Sequence, residues 1–389
     1  MSALAVRESL VVSPHLWPMK RIGDLGEVVT GKTPSTANRA YYNGKYLFVT
    51  PSDLDYLHYY CKETEGTVTE LAREKHKNQF IPKDSVMFTC IGNTIGKCAL
   101  SSIECLTNQQ INSVVPNSDN DGKFIYYLLN WQKDLVRGIG LGGGAATPII
   151  NKTTFSNIKL PIPPLPTQRR IAEVLSAYDD LIENNRRRIK LLEQAAKLLY
   201  REWFVHLRFP GHDTTPITNG LPQGWSKQTL GDRITLHYGK ALKAEVRQDG
   251  EIPVYGSSGI VGTHDKAIVK GPAMIVGRKG NVGSVFWSAT DFYPIDTVYY
   301  VSSEESSYYL FHTLQSMTFI SSDAAVPGLN RNFAYSKPLF LPAAPILEKF
   351  ENAVNPIYSQ IRTLEIQNKK LAEARDILLP RLMNGEVAV

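Results

Sequence analysis

The sequence WPMKRIGDLGEVVTGK at residues 17–32 returns in altered form as WSKQTLGDRITLHYGK at residues 225–240, 208 positions later. Both stretches open on tryptophan, carry Gly-Asp in the middle and close on Gly-Lys. A second set of landmarks recurs 179 positions later: Pro148, Asn151, Lys152, Leu160, Pro163 and Pro166 match Pro327, Asn330, Arg331, Leu339, Pro342 and Pro345. The second copy is therefore 29 residues shorter between its landmarks. We interpret the chain as a duplicated unit that contacts two similar objects.

The composition is that of a globular protein with an anionic partner. The chain has 389 residues, of which 43% are hydrophobic, enough for two or three domains. Its net charge of +6 favours a partner such as nucleic acid. The four cysteines lie in the first copy without CxxC spacing, which predicts core thiols and no metal site. The sequence shows neither a signal leader nor an apolar run of membrane length, so we expect a cytoplasmic protein.

The pattern along the chain predicts an α+β protein in which two strand-rich domains are each followed by a long helix. The predicted segments are a lead-in at 1–16, a strand-rich domain at 17–166, a long helix at 167–208, a second strand-rich domain at 209–344, and a long helix with a tail at 345–389. Predicted strands lie at 46–50, 86–90, 97–100, 111–116, 252–255, 273–276, 284–287 and 297–301, and shorter helices at 124–136 and 307–317.

Apolar residues at alternating steps of three and four mark both long helices. Thr167 is placed to cap the first. Its stripe is Ile171, Val174, Tyr178, Leu181, Asn185, Ile189, Leu192, Ala196, Leu199 and Trp203, and that of the second helix is Ile357, Ile361, Leu364, Asn368 and Leu371. We expect the two helices to pair antiparallel, as a coiled-coil-like spacer that relates the two halves by a pseudo-twofold axis. Pro356 predicts a break or kink in the second helix.

The catalytic motifs in the chain are weak. Residues 26–33 satisfy GxxxxGK[ST], but Val28 and Val29 indicate a strand where a phosphate-binding loop needs flexible residues. The GxGxxG pattern at 138–143 follows a predicted helix instead of a strand, which favours a mobile loop. A P-loop ATPase and a stand-alone DNA methyltransferase are the alternatives that we disfavour. We therefore expect no catalysis by this chain.

The order of these features resembles the specificity subunit of type I restriction-modification systems. Each copy ends in a proline-rich stretch before a long helix, as in PIPPLPTQRRIA at residues 161–172. The first helix leads through LYREWF (199–204) to FPGH (209–212), and the second ends on LPRLMNGE (379–386). The second copy also contains GRKGNVG at residues 277–283. The resemblance covers nearly the whole chain.

This resemblance implies a function in DNA recognition. The two strand-rich domains would be target recognition domains, each reading one half of a bipartite double-stranded DNA sequence. The helices would set the length of the unread spacer and dock two methyltransferase subunits, with restriction subunits as further partners. S-adenosylmethionine, ATP and Mg²⁺ would bind to those partners, and this chain would carry no cofactor. A coiled-coil scaffold that never meets DNA is the third class of function to be distinguished.

Loops that keep their turn chemistry in both copies, but change their polar residues, are the candidates for DNA contacts. In the first copy the candidates are Lys32, Thr33, Arg39, Lys45, Asn93, Thr94, Lys97, Asn108, Gln109 and Gln110. In the second copy they are Lys240, Lys243, Arg247, Ser257, Ser258, Arg278, Lys279, Asn281, Asn330 and Arg331. Arg278 and Lys279 are the strongest candidates, as adjacent cations beside glycines. Asn151 and Asn330 recur in both copies, so a role as structural caps is an equal alternative for Asn330.

Overall fold

The computed structural model describes residues 17–56, 58–141, 148–319, 328–387 and 389. The predicted lead-in and the landmark Pro327 lie outside these residues. The chain divides into two compact units, of which unit 1 comprises Met1–Asn185 and Ile366–Val389, and unit 2 comprises Arg186–Glu365. The predicted α+β class, with two strand-rich domains and long helices, is confirmed.

The described part of unit 1 contains two main sheets and five short α-helices. Its strands are β1 (Met19–Arg21), β2 (Gly26–Thr30), β3 (Tyr42–Val49), β4 (Tyr60–Cys61), β5 (Gly66–Val68), β6 (Phe80–Ile81), β7 (Val86–Thr89), β8 (Cys98–Ser101), β9 (Cys105–Thr107), β10 (Ile111–Pro116) and β11 (Lys159–Pro161). Its short helices are α1 (Ile22–Leu25), α2 (Glu70–Lys75), α3 (Gly122–Trp131), α4 (Lys133–Leu141) and α5 (Lys152–Asn157). The long helix α6 (Leu165–Tyr200) follows and continues as a π-helical turn over Arg201–Val205.

Unit 2 repeats this plan in shorter form. Its strands are β12 (Ile217–Thr218), β13 (Leu221–Pro222), β14 (Ser226–Thr229), β15 (His237–Tyr238), β16 (Ile252–Gly256), β17 (Gly259–His264), β18 (Ala273–Gly277), β19 (Val285–Ser288), β20 (Tyr293–Pro294), β21 (Val298–Tyr300) and β22 (Pro338–Leu341). Its short helices are α7 (Tyr308–Ser316) and α8 (Arg331–Tyr335). The long helix α9 (Ala344–Met383) follows.

The sheets of the two units have the same strand order. The first four strands of one sheet run β2-β10-β7-β8 in unit 1 and β15-β21-β18-β19 in unit 2, antiparallel throughout. A second sheet contains a parallel pair in each unit, β3 with β9 and β16 with β20. The segments around β4, α2 and β6 have no counterpart in the described part of unit 2. Most of the shortening of the second copy therefore falls between the first strand and the third strand of the sheet.

The repeated sequence landmarks are structural. In unit 1 the backbone amide of Arg21 donates to Asp24 at 2.9 Å, and in unit 2 the amide of Thr229 donates to Asp232 at 2.8 Å. Asn151 and Asn330 each cap a short helix, by accepting from the amides of Thr154 and Phe333. The capping role proposed for this pair is confirmed, and it explains why both copies keep asparagine there.

The long helices α6 and α9 run antiparallel where they pair in unit 1. Asp179 on α6 forms an ion pair with Arg375 on α9, and Asn185 donates to Asn368 at 3.0 Å. In unit 2 the same two helices share a buried cluster that includes Ala196, Tyr200, Phe350 and Val354. The predicted lengthwise pairing of the helices is confirmed within each unit.

The predicted stripe on α6 is wrong at two positions of its first half. Val174 is 37% exposed and Leu181 is 51% exposed, and their neighbours Leu175 and Ile182 are buried instead. Ile171 is buried, as predicted. The buried face also carries polar residues that an apolar pattern does not reveal, and Asp179 is one of them. The pairing of that carboxylate with Arg375 selects this face for burial.

Two further helix predictions need correction. Helix α9 continues through Pro356, so the predicted break is wrong. Its buried residues Phe350, Val354, Ile361 and Leu364 lie on both sides of the proline, and their packing offsets the hydrogen bond that proline cannot donate. The first long helix begins at Leu165, so Thr167 lies in its first turn instead of capping it.

The glycine-rich stretch is partly helical. Gly138 and Gly140 belong to α4, so the predicted loop is wrong for these two residues, while residues 142–147 lie outside the described part of the chain. Gly140 is buried, and a β-carbon there would approach the side chain of Ile150 to 3.0 Å. The small residue thus permits close packing of α4 on the segment that leads to α5.

Candidate nucleic-acid interface

Most of the candidate residues of unit 1 lie at one end of its five-stranded sheet. β2 and β7 end there, and β8 and β10 begin there. We call the loops at this end the loop end of unit 1, which comprises residues 31–33, 92–97 and 108–110. The antiparallel order of the strands thus brings together three loops that are far apart in sequence.

The loop end of unit 2 has the same construction. It comprises residues 239–240, 278–281 and 296–297, which flank β15, β18 and β21. After the first strand, the amide of Gly31 donates to Ile111 O at 3.2 Å, and the amide of Gly239 donates to Val298 O at 3.2 Å. A β-carbon on either glycine would lie within 2.2 Å of a backbone oxygen, so the repeated Gly-Lys step requires glycine.

Each loop end presents a Gly-Asn turn after the third strand of the sheet. Gly92 and Gly280 both have positive φ, +59° and +78°, and the asparagines that follow them, Asn93 and Asn281, are exposed. The side-chain amide of Asn281 donates to the hydroxyl of Ser258 at 3.2 Å. The backbone amide of Asn281 lies 3.4 Å from the hydroxyl of Ser257. Both predicted serines therefore lie beside the loop end of unit 2, where they support Asn281.

Amide side chains dominate the loop end of unit 1. Thr33 donates to Gln109 at 2.7 Å, which joins the loop after β2 to the loop before β10. Asn108 is only 9% exposed, and it bonds both the backbone and the side chain of Gln110. Exposed Gln109 therefore remains available to a ligand, while Asn108 braces the loop.

Other predicted residues of this loop end are partly engaged. Thr94 donates to Ile91 O at 2.7 Å, and the ammonium group of Lys97 donates to Pro51 O at 2.8 Å. Lys32 has an exposed side chain and uses only its backbone amide, which donates to Thr107 O at 2.8 Å. Of the two lysines in these loops, Lys32 therefore has the side chain that is more available to a ligand.

Cations dominate the loop end of unit 2. The guanidinium group of Arg278 donates to Asp296 O at 2.8 and 3.1 Å and lies 5.2 Å from the ring of Tyr238. Arg331 lies 5.3 Å from the same ring. Lys279 and Lys240 are exposed beside them. The two units therefore present equivalent loops with different chemistry.

Four candidates lie away from the loop ends. Arg39 precedes β3 in unit 1. Lys45 on β3 forms a 2.9 Å ion pair with Glu70, and the hydrogen bonds from Lys45 and Tyr46 lower the pKa of Glu70 to about 2. Lys243 and Arg247 flank a 3-10 turn in unit 2, where Arg247 donates to Val261 O at 2.7 Å.

Three residues that sequence reasoning missed lie directly behind the loops. Asn112 and Tyr299 occupy equivalent positions on β10 and β21, and Tyr238 ends β15 with half of its side chain exposed. Burial raises the pKa of Tyr299 to about 12, and a hydrogen bond with Tyr238 adds to this shift. The position of Tyr238 directly before the repeated Gly-Lys step was the available signal.

The stretch that matches a phosphate-binding motif belongs to a sheet, and the cysteines belong to the core. Gly26–Thr30 forms strand β2, as predicted, and a β-carbon on Gly26 would lie 2.0 Å from Val115 O. Because β2 pairs this closely with β10, no space for a phosphate group remains between the two strands. All four cysteines are free and buried, which confirms the prediction of core thiols. Burial raises the pKa of Cys90 to about 12. In the described ranges, no three His, Cys, Asp or Glu side chains form a group that could hold a metal ion.

The comparisons with known proteins agree on one class. The sequence model of the family described as "Type I restriction modification DNA specificity domain" matches residues 14–194 and 222–367. These segments contain both loop ends. The chain belongs to this family.

Curated relatives support the assignment along the whole chain. The chain is 27% identical to the type I restriction enzyme MjaIX specificity subunit of Methanocaldococcus jannaschii, over 97% of this chain and 94% of that protein. It is 31% identical to the HindI specificity subunit of Haemophilus influenzae over 156 residues, which are 39% of this chain and 32% of that protein.

A solved structure supports the fold. The type I restriction-modification S subunit from M. genitalium superposes with a TM-score of 0.58 at 17% identity, over 94% of this chain and 96% of that chain. Among the helices of the described residues, none is long and apolar enough to cross a membrane.

Proposed function

We propose that this chain is the DNA sequence-recognition subunit of a type I restriction-modification complex, in which each unit contacts one half of a bipartite target through its loop end. One observation carries the proposal. The two loop ends share their strand order and their Gly-Lys and Gly-Asn turns, but they carry different polar side chains. Equivalent scaffolds with different surfaces are what reading two different half-sites requires.

The exposed side chains suggest how the contacts divide. Asn93, Gln109 and Asn281 have amides, which suit bidentate hydrogen bonds to base edges, above all adenine. Lys32, Lys240 and Lys279 suit phosphate oxygens, which position the protein without reading the sequence. Among the other predicted residues at or beside the loop ends, Thr33, Thr94, Asn108, Gln110, Ser257 and Ser258 would support these residues.

The chemical steps belong to other subunits in this proposal. Methyl transfer from S-adenosylmethionine would occur on two methyltransferase subunits, and the ATP- and Mg²⁺-dependent steps on restriction subunits. The pairing of β2 with β10, which occupies the only GxxxxGK[ST] match in the sequence, supports this division. Calorimetry of the purified chain with S-adenosylmethionine tests it, because binding to the chain alone would place the cofactor here.

The long helices offer a surface for the methyltransferase. Val174 and Leu181 on α6 and Ile377 on α9 are exposed apolar side chains within unit 1, and Ile377 is 62% exposed. Val174 and Leu181 lie to one side of the buried face of α6, which contains Leu175, Asp179 and Ile182. An apolar surface of this kind is typical of a protein–protein interface.

Selection of bound duplexes from random DNA tests the recognition role. The chain would be assembled with its methyltransferase subunits, since a recognition subunit acts within its complex. We expect two blocks of preferred bases separated by a constant number of unspecified base pairs. A single contiguous block, or no enrichment over unselected DNA, would overturn the proposal.

A further inference from the structure

Two arginines converge on one exposed tyrosine in unit 2. The guanidinium carbons of Arg278 and Arg331 lie 5.2 and 5.3 Å from the centre of the Tyr238 ring, and Arg278 also lies 5.8 Å from the ring of Tyr299. Tyr238 is 53% exposed, so the arrangement faces solvent. We call Tyr238, Arg278 and Arg331 the arginine cluster.

Among the described residues, the positive charge of the cluster is not balanced by an ion pair. In the described part of the chain, neither guanidinium group has a carboxylate oxygen within 4.0 Å. Lys240 and Lys279 add two exposed cations on the neighbouring loops. Like charges held together repel, so an anion that binds here relieves repulsion as well as gaining hydrogen bonds.

The fold itself does not require the cluster. Unit 1 has Thr30 in the place of Tyr238, Cys90 in the place of Arg278 and Lys152 in the place of Arg331, according to the matching strand pairs and helix caps. Unit 1 forms the same sheet without a guanidinium group or an aromatic ring at these positions. The cluster is therefore a feature of the exposed surface of unit 2 and not of the fold that the two units share.

The concentration of charge favours a phosphate, because Arg278, Arg331, Lys240 and Lys279 place four cations on one surface. The Nε and Nη2 atoms of Arg278 already donate to Asp296 O. Both protons of Nη1 and the second proton of Nη2 remain for an acceptor. Asp296 O and the tyrosine rings hold the guanidinium group in place before any ligand arrives, which reduces the entropy lost on binding.

We propose that the arginine cluster binds the backbone of DNA, with each guanidinium group neutralising one phosphate, and that unit 1 holds its half-site without an equivalent cluster. This inference rests on the proposed function. It makes the two halves unequal: unit 2 supplies more of the salt-dependent, sequence-independent affinity, and unit 1 relies more on neutral amide contacts.

The test is the salt dependence of DNA binding by the complex assembled with its methyltransferase subunits. Affinity for the selected bipartite duplex is measured by fluorescence anisotropy over a series of salt concentrations. Arg331→Gln should reduce the slope of log affinity against log salt by about 1, and Arg278→Gln with Arg331→Gln by about 2. The ratio of affinities for selected and scrambled duplexes should change by less than about twofold, because phosphate contacts carry no sequence information.

Lys152→Gln is the matched control, because Lys152 occupies in unit 1 the position that Arg331 occupies in unit 2. It should change the slope by less than about half a unit. Equal changes for Lys152→Gln and Arg331→Gln, or none for the double variant, would overturn the inference. A loss of sequence discrimination in the arginine variants would also overturn it, in favour of base reading. If the unmodified complex binds no DNA at all, the proposed function fails instead.

Discussion

Asn112 and Tyr299 occupy equivalent positions in the two units and make the same hydrogen bond with different chemical groups. The side-chain amide of Asn112 donates to Ile150 O at 3.2 Å, and the hydroxyl of Tyr299 donates to Leu329 O at 3.2 Å. Each acceptor directly precedes the asparagine that caps α5 or α8. The two residues therefore hold in place the segment that precedes α5 or α8. The exposed side chains of the loop ends do not take part in these bonds and can differ between the units.

Asn112 should be the more sensitive of the pair. It is 3% exposed, and it also accepts from Thr30 at 2.6 Å and donates to the sulfur of Cys90 at 3.3 Å. Asn112→Leu would leave these partners unsatisfied and should cost about 1–3 kcal/mol. Hydrogen exchange of the β7 and β10 amides measures the loss, with the β18 and β21 amides as internal reference. Tyr299→Phe, which removes one hydrogen bond, should cost about 1 kcal/mol in unit 2. Unaltered exchange in both variants would deny these residues a positioning role.

The ion pair between Asp179 and Arg375 should be costly to break. Asp179 is 2% exposed, and it also accepts from the hydroxyl of Tyr127 at 2.5 Å. Arg375→Met leaves a buried carboxylate without its cation and should lower the free energy of unfolding of unit 1 by about 3–5 kcal/mol. Replacing all three polar groups, as in Y127F/D179L/R375M, should recover most of that loss. Denaturant unfolding compares the two variants, and equal destabilisation would contradict the explanation by an unpaired charge.

Unit 2 should lose stability in mild acid through His312. Burial lowers the pKa of His312 to about 4, and its Nε2 atom lies 2.9 Å from the hydroxyl of Tyr358. The unfolded chain binds a proton at its ordinary pKa of about 6.5, before the folded chain does, so stability falls as pH falls from about 6.5 to about 4. The loss attributable to this group should reach about 3 kcal/mol.

Urea unfolding of the chain at several pH values measures this dependence. His312→Gln should flatten this dependence. An identical pH dependence in the His312 variant and the unmodified chain would assign the acid sensitivity to other groups.

The exposed apolar side chains of Val174 and Leu181 on α6 should contribute to assembly with the methyltransferase subunit and not to folding. Leu181→Glu places a charge on a side chain that is 51% exposed, so the unfolding free energy should change by less than about 0.5 kcal/mol. Affinity for the methyltransferase subunit should fall at least about tenfold, because a carboxylate would be buried in an apolar contact. Calorimetric titration measures it. Ile260→Glu is the control, since Ile260 is 60% exposed on β17. If the Leu181→Glu and Ile260→Glu variants bind the methyltransferase subunit with equal affinity, α6 is not part of the interface.

The sequence predicts the repeated parts of the molecule well, because they are held by local rules. The matching pairs Asp24 with Asp232 and Asn151 with Asn330 are caps, and a cap depends on residues only a few positions away. The Gly-Asn turns and the Gly-Lys steps follow from backbone geometry in the same way. These features predict Asn93, Asn281, Lys32 and Lys240 as members of the candidate interface from the sequence alone.

The sequence fails where contacts join distant segments. The apolar pattern of α6 does not predict its buried face, because Asp179 on that face pairs with Arg375, nearly two hundred residues away. The meeting of Tyr238 with Arg331 depends on sheet order, which periodicity does not give. Asn112 and Tyr299 are equivalent positions that carry different residue types, so a comparison of repeated letters does not identify them.

The central claim is that the two loop ends read separate halves of one DNA target. Its most direct test is selection from random duplexes by assembled complexes that carry either Asn93→Ala or Asn281→Ala. Each substitution removes one exposed amide, worth about 1–3 kcal/mol if it pairs with a base. The account predicts that each variant loses preference in one block of bases only, and that the two variants affect different blocks. Relaxation of the same block by both variants, or of neither block, would contradict it.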